Sequence, residues 1–259
     1  MMDSLTGSLT GQTVLVTGAT GGIGLAHTAA FRNAGADVFA HARKVTQDLS
    51  DLENSTGARG VIADLATPDA CRQLVRDVVD ANGRLDVLVA NHATMTMAPL
   101  VEADPTDWWR VVDTNLLGTY ALIQEAVRVM RSQGTGGRIV VIVSEWGVIG
   151  WPDATAYAAS KSGLISLVKC LGRELAPEGI LVNAIAPGVI DTPQLNVDAV
   201  AAGVSLAEMH AIYAEDIPLG RIGDPSEIAE TAVFLAQPDL KAMAGQVVQV
   251  NGGSTRTRV

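Results

Sequence analysis

The sequence predicts one α/β domain, residues 1–259, built on a doubly wound parallel sheet with helices on both faces, three layers deep. Three observations predict it. Short apolar runs alternate with longer helical patterns along nearly the whole chain. Several of those runs are almost continuously apolar, as strands become when helices cover both sheet faces. The 259 residues are 48% hydrophobic, enough for one sizeable core, and no linker or repeat interrupts them.

Taken in order, a strand at 14–17 (Val14-Leu15-Val16) runs into a glycine-rich turn and a helix over 22–33. Strands follow at 38–41 and 60–63, a helix at 68–82 and a strand at 87–90. A long helix is expected over 107–132, then a strand at 138–144 and a helix over 154–176. Strands at 181–186 and 246–250 enclose a helix at 225–237, giving about seven strands in all. Residues 192–218 break the alternation and hold one helical patch, around 205–215. An insertion of this length inside a compact domain is usually functional or disordered.

Two motifs carry chemistry. Thr17-Gly18-Ala19-Thr20-Gly21-Gly22-Ile23-Gly24 lies between strand and helix. Glycines there let the backbone approach a pyrophosphate, and the helix start offers free N–H groups and a favourable dipole. The spacing is Gly-x-x-x-Gly-x-Gly, and no Gly-Lys-Ser/Thr of a mononucleotide loop follows. The second motif is Tyr157-Ala-Ala-Ser-Lys161, with Ser144 upstream. Tyrosine and lysine four apart share a helix face. An ammonium beside the phenol is expected to lower the Tyr157 pKa from about 10, making it a proton donor or acceptor near neutral pH. The Ser144 hydroxyl is placed to hold a substrate oxygen.

The glycine loop, Asp64-Leu65, Asn91, Asn115, Ser144, Tyr157, Lys161 and Pro187-Gly188, in that order, resemble the short-chain dehydrogenase/reductases over nearly the whole chain. The resemblance implies a Rossmann-like fold, a nicotinamide cofactor and hydride transfer between it and an alcohol or carbonyl. It implies Asn115, Ser144, Tyr157 and Lys161 as the catalytic set. Tyr157 is the general acid/base, Lys161 also binds the cofactor ribose, and Asn115 holds a relay water. Gly18, Thr20, Gly22, Ile23 and Gly24 would hold the cofactor, with Asp64 and Leu65 at the adenine and Asn91 near the nicotinamide ribose. Pro187, Gly188, Ile190 and Thr192 would border the nicotinamide, and residues 192–218 would form a substrate lid. The chain departs from the family's Asn-Asn-Ala-Gly after the fourth strand, placing Asn91, His92 and Ala93 there.

Cofactor choice turns on the end of the second strand. An NAD-preferring enzyme places an acid there; this chain has Ala42, followed by Arg43 and Lys44, charges suited to a 2′-phosphate. NADP(H) is therefore favoured, with NAD(H) the alternative.

The expected substrate is a small carbonyl or secondary alcohol, a cyclic or hydroxylated ketone above all. Trp146 and Trp151 would stack on it, and Glu145 or His92 would bind its hydroxyl or amine. The alternatives are an NAD-dependent alcohol or polyol dehydrogenase and a 3-oxoacyl-carrier-protein reductase. Against the last, no Lys or Arg occurs from Glu174 to Gly220, and Glu178 precedes Gly179. A non-catalytic regulator is disfavoured because all four catalytic residues are present; an epimerase, dehydratase or decarboxylating dehydrogenase on the same scaffold is a minor alternative.

Composition excludes other classes. A net charge of -10 opposes nucleic-acid binding. No apolar run reaches the roughly 18 residues a membrane span needs, and the first ten residues lack a signal-peptide pattern, so a cytoplasmic protein is expected. Cys71 and Cys170 are expected as buried free thiols, and no metal-ligand spacing occurs. Family members usually form homotetramers or dimers, and the 256–259 tail is expected at a surface or interface.

Overall fold

Each short apolar run becomes a strand: β1 (Thr13–Val16), β2 (Asp37–Ala42), β3 (Arg59–Ile62), β4 (Val87–Ala90), β5 (Gly137–Ile142), β6 (Ile180–Pro187) and β7 (Val247–Val250). They pair in parallel in the order β3-β2-β1-β4-β5-β6-β7. The computed structural model describes residues 6–255; the expectation for the 256–259 tail lies outside the described residues.

Because side chains alternate across a strand, each strand feeds two cores. Leu15, Leu88, Ile139, Val141 and Val182 pack on one face, beneath α3 (Pro68–Asn82), α5 (Thr119–Gln133) and α7 (Thr155–Leu175). Val14, Val16, Val87, Val89, Val140 and Ile142 pack on the other, beneath α1 (Gly22–Asn33) and α10 (Pro225–Leu235). Strand order reverses between β1 and β4, opening a crevice at the carboxyl ends of the strands. Thr17, His41, Asn91, Ser144 and Gly188 all lie at or just beyond those ends.

Four findings depart from the sequence expectations. The helix expected over 107–132 is α4 (Pro105–Val112), a π-helical turn (Asp113–Gly118) and α5. That turn packs closely on the loop after β3: a Cβ on Gly118 would lie 2.5 Å from the Leu65 carbonyl oxygen. α2 (Gln47–Thr56) is an additional helix, so polar that only Leu49 and Leu52 are buried. Residues 192–218 contain α8 (Gln194–Ala202) as well as α9 (Leu206–Glu215), gathered on a small apolar cluster of Leu195, Ile217 and Ile222. Cys71 is buried, but Cys170 is exposed because it sits on the outer face of α7. Among the described residues no helix is long and apolar enough to cross a membrane, and none form a metal-ligand cluster.

Candidate active site

The glycine loop is shaped by contacts that only glycine permits. Gly18 has a φ of 64°, and a Cβ there would lie 2.9 Å from the His92 Cα. A Cβ on Gly24 would lie 2.1 Å from the Gly18 carbonyl oxygen, so the first turn of α1 closes directly on the loop. Gly21 caps α1 without a side chain, and no acid lies in its first turn, leaving its N–H groups suited to a phosphate. The loop thus fits the pyrophosphate of a dinucleotide. Gly22 packs against Thr192: a Cβ on it would lie 2.8 Å from Thr192 Cγ2.

The catalytic triplet comes from β5 and α7. Ser144 lies two residues beyond β5, and its Oγ accepts a hydrogen bond from the Trp146 N–H at 3.1 Å. Gly147 lets the short α6 (Trp146–Ile149) press on α7, since a Cβ there would lie 2.9 Å from Lys161 Cβ. Lys161 is buried and its Nζ donates to the Ile142 carbonyl at 2.7 Å. It lies 5.5 Å from the centre of the Tyr157 ring. Burial pulls the Lys161 ammonium down to about 8. The Tyr157 phenol departs from the expectation: burial raises its pKa, against a smaller opposing effect of the Ser144 hydroxyl. With the ammonium turned to a carbonyl, desolvation wins, and Tyr157 keeps its proton. A protonated phenol beside Ser144 can donate to an alkoxide developing on a bound carbonyl.

Asn115 sits in the π-helical turn with no exposed surface. Its side chain accepts from Thr94 N–H at 2.8 Å and donates to Thr94 O at 2.9 Å and Ser160 Oγ at 3.1 Å. Ser160 in turn donates to the Tyr157 carbonyl at 2.7 Å. The amide therefore braces the turn carrying Tyr157. Both of its amide donors are thus engaged within the protein.

One cleft of about 260 Å³ gathers Ile23, Asn91, Ser144, Trp146, Tyr157, Lys161, Pro187, Gly188, Ile190 and Thr192. Asn91 Nδ2 donates to the Thr17 and Gly18 carbonyls, each at 3.1 Å, so it also pins the glycine loop. Other predicted residues lie elsewhere. The Leu65 side chain belongs to the core, while Asp64 is exposed and accepts from the Ala66 N–H. Arg43 and Lys44 are exposed beyond β2, with no ion-pair partner among the described residues.

Three residues expected to bind substrate do not line the cleft. His92 is buried between Thr17 and the π-helical turn. Its ring nitrogens pair with Thr17 Oγ at 2.9 Å and Thr114 O at 3.2 Å, and burial lowers its pKa to about 3. Glu145 turns away from the cleft and is 5% exposed. Its carboxylate accepts from Ser254 Oγ and from Asn251 Nδ2 at 3.4 Å. Burial raises its pKa, and those two hydrogen bonds oppose the rise. Trp151 is 42% exposed and stacks on the outside of Trp146, with ring centres 5.0 Å apart. Trp146 alone faces inward, edge-on to Tyr157 at 6.0 Å.

Other polar groups of the cleft come instead from α8 and α9. Gln194, Asp198 and Tyr213 line the cleft. Gln194 Nε2 donates to Asp198 Oδ1 at 3.0 Å, and Tyr213 OH donates to Asp198 Oδ2 at 3.3 Å. No local sequence pattern marks Asp198, because α8 has no distinct apolar stripe to show which face turns inward.

A family model described as Enoyl-(Acyl carrier protein) reductase matches residues 18–255. The chain belongs to the short-chain dehydrogenase/reductase family. It is 36% identical over 250 residues to a 3-oxoacyl-[acyl-carrier-protein] reductase of Thermotoga maritima, covering 95% of this chain and 98% of the relative. It is 34% identical over 251 residues to the enzyme of the same name from Aquifex aeolicus, covering 95% and 98%. A short-chain dehydrogenase/reductase of Armillaria gallica is 33% identical over 250 residues, covering 94% and 95%. The chain is therefore an oxidoreductase of the family that works with nicotinamide cofactors. When bound, the nicotinamide supplies or accepts the hydride. Ser144 and Tyr157 line the cleft, with the Lys161 ammonium beside the tyrosine ring.

Proposed function

We propose that this short-chain dehydrogenase/reductase uses NADP(H) to reduce a small cyclic or hydroxylated ketone to an alcohol. The observation that carries the reading is the cleft itself. Ser144 and Tyr157 stand on one side, Trp146 forms an apolar wall, and Asp198 with Tyr213 lies on the lid side. A flat carbonyl compound would lie along Trp146 with its oxygen at Ser144 and Tyr157. Its remaining hydroxyl or amine would donate to Asp198.

NADP(H) is supported by the absence of an acid at Ala42 and by the exposed Arg43 and Lys44. The proposed homotetramer is supported by exposed Trp109, Leu117 and Tyr120 along α4, the π-helical turn and α5.

A second reading, reduction of a 3-oxoacyl thioester on a carrier protein, is favoured by the names of the relatives. Against it stand the net charge of -10 and the stretch from Glu174 to Gly220 without Lys or Arg, which would repel an acidic carrier. Glu178, where a basic residue would serve that carrier, is instead tied to Arg131 at 2.7 Å.

Steady-state kinetics with NADPH on cyclohexanone, a hydroxycyclohexanone and acetoacetyl-coenzyme A tests the reading. The hydroxycyclohexanone should give the highest kcat/KM. Asp198→Asn should lower that value by about tenfold and leave cyclohexanone unchanged. Preference for the thioester, with no effect of Asp198→Asn, would move the assignment to the second reading.

A further inference from the structure

We propose that His41 is the positioning residue of the glycine loop, holding it in its binding shape through one defined tautomer. The Gly18 N–H donates to His41 Nδ1 at 3.1 Å. An amide can only donate, so Nδ1 carries no proton. The other ring nitrogen, Nε2, lies 3.0 Å from the Ala63 carbonyl, which can only accept, so Nε2 carries the proton. The His41 backbone carbonyl also accepts from the next loop amide, Ala19 N–H, at 2.8 Å. The residue is 3% exposed, so water does not compete for these bonds.

One side chain thus joins three segments: the end of β2, the loop after β3 and the turn of the glycine loop. Gly18 is the position that needs this most. Its φ of 64° is a left-handed conformation, and its amide meets β2 at His41. Without an acceptor from His41, a part-buried amide at the mouth of the cofactor cradle would lack a partner. The pyrophosphate-facing amides would then be held less firmly, and binding would carry the cost of ordering them. The effect concerns the loop shared by NAD and NADP, and is separate from any 2′-phosphate contact of Arg43.

The test compares His41→Leu, which has neither group, with His41→Asn, whose Oδ1 falls near the position of Nδ1. Two quantities are measured: Kd for NADP⁺ and for NAD⁺ by calorimetry, and hydrogen exchange at the Gly18 and Ala19 amides without cofactor. His41→Leu should weaken both dinucleotides by the same factor, about tenfold, and speed Gly18 exchange by at least as much. His41→Asn should restore both to within about threefold of the parent. An unchanged Gly18 exchange rate in folded His41→Leu would overturn the proposal, whether or not dinucleotides bind. So would an asparagine variant as weak as the leucine one. If the leucine variant does not fold, His41→Phe takes its place, since its ring is close to imidazole in shape and offers Gly18 no acceptor. Failure of the NADP preference would show in the ratio of the parent's two Kd values, and leaves the comparison between His41 variants intact.

Discussion

Lys161 and Tyr157 illustrate how burial and charge compete at one residue pair. Sequence spacing puts them on one helix face, and the structure agrees, but spacing carries no information on desolvation. Burial raises the phenol and lowers the ammonium, so the proton rests on Tyr157. Arg43 is the converse case: an exposed cation whose value depends wholly on a ligand. Arg43→Ala should weaken NADPH by about tenfold and leave NADH unaffected, as read by fluorescence titration of both. Equal loss for both cofactors would remove the 2′-phosphate role. His92 and Glu145 were not legible as structural residues from the sequence. Their partners lie far along the chain, at Thr17 for His92 and at Asn251 and Ser254 for Glu145.

At the scale of elements, the parallel strands were legible because apolar runs bounded by turns allow few alternatives. The π-helical turn was not: Asp113–Gly118 reads as ordinary helix, and the close packing of Gly118 on Leu65 is not visible in the sequence. Nor was α8, whose surface mixes polar and apolar residues without a clear stripe. The C-terminal segment after β7 gains a role from Glu145, which ties it to the loop carrying Ser144. Glu145→Ala should leave the Ser254 hydroxyl unpaired, while Asn251 keeps Thr255 as an acceptor, and cost about 2 kcal/mol in denaturant unfolding. It should lower kcat/KM by similar factors for plain and hydroxylated ketones, because the carboxylate acts behind the site. A loss confined to hydroxylated ketones would return Glu145 to substrate binding.

For the whole molecule, buried neutral histidines set the acid limit of stability. His27 lies wholly inside α1, neither ring nitrogen has a hydrogen-bond partner, and burial lowers its pKa to about 3. His92 is lowered to about 3 as well. In the unfolded chain both titrate near 6.5, so below that pH the unfolded state binds protons that the folded state refuses. Stability is therefore full above about pH 6.5 and falls on acidification, by about 1.4 kcal/mol per pH unit for each histidine. His27→Leu should raise Tm at pH 7 by removing two unpaired buried nitrogens, and should shrink the Tm loss between pH 7 and 5. An unchanged pH dependence would mean that His27 is solvated in the folded protein.

The central claim is that Tyr157 protonates a carbonyl reduced by nicotinamide in the cleft of Ser144 and Lys161. The most direct measurement follows NADPH consumption and alcohol formation together, with a hydroxycyclohexanone, in the parent protein and in Tyr157→Phe. The account predicts one alcohol per NADPH consumed. It also predicts a loss of about a thousandfold in kcat for the variant, with its NADPH affinity retained. Turnover surviving in Tyr157→Phe, or product formed without net consumption of cofactor, would contradict it.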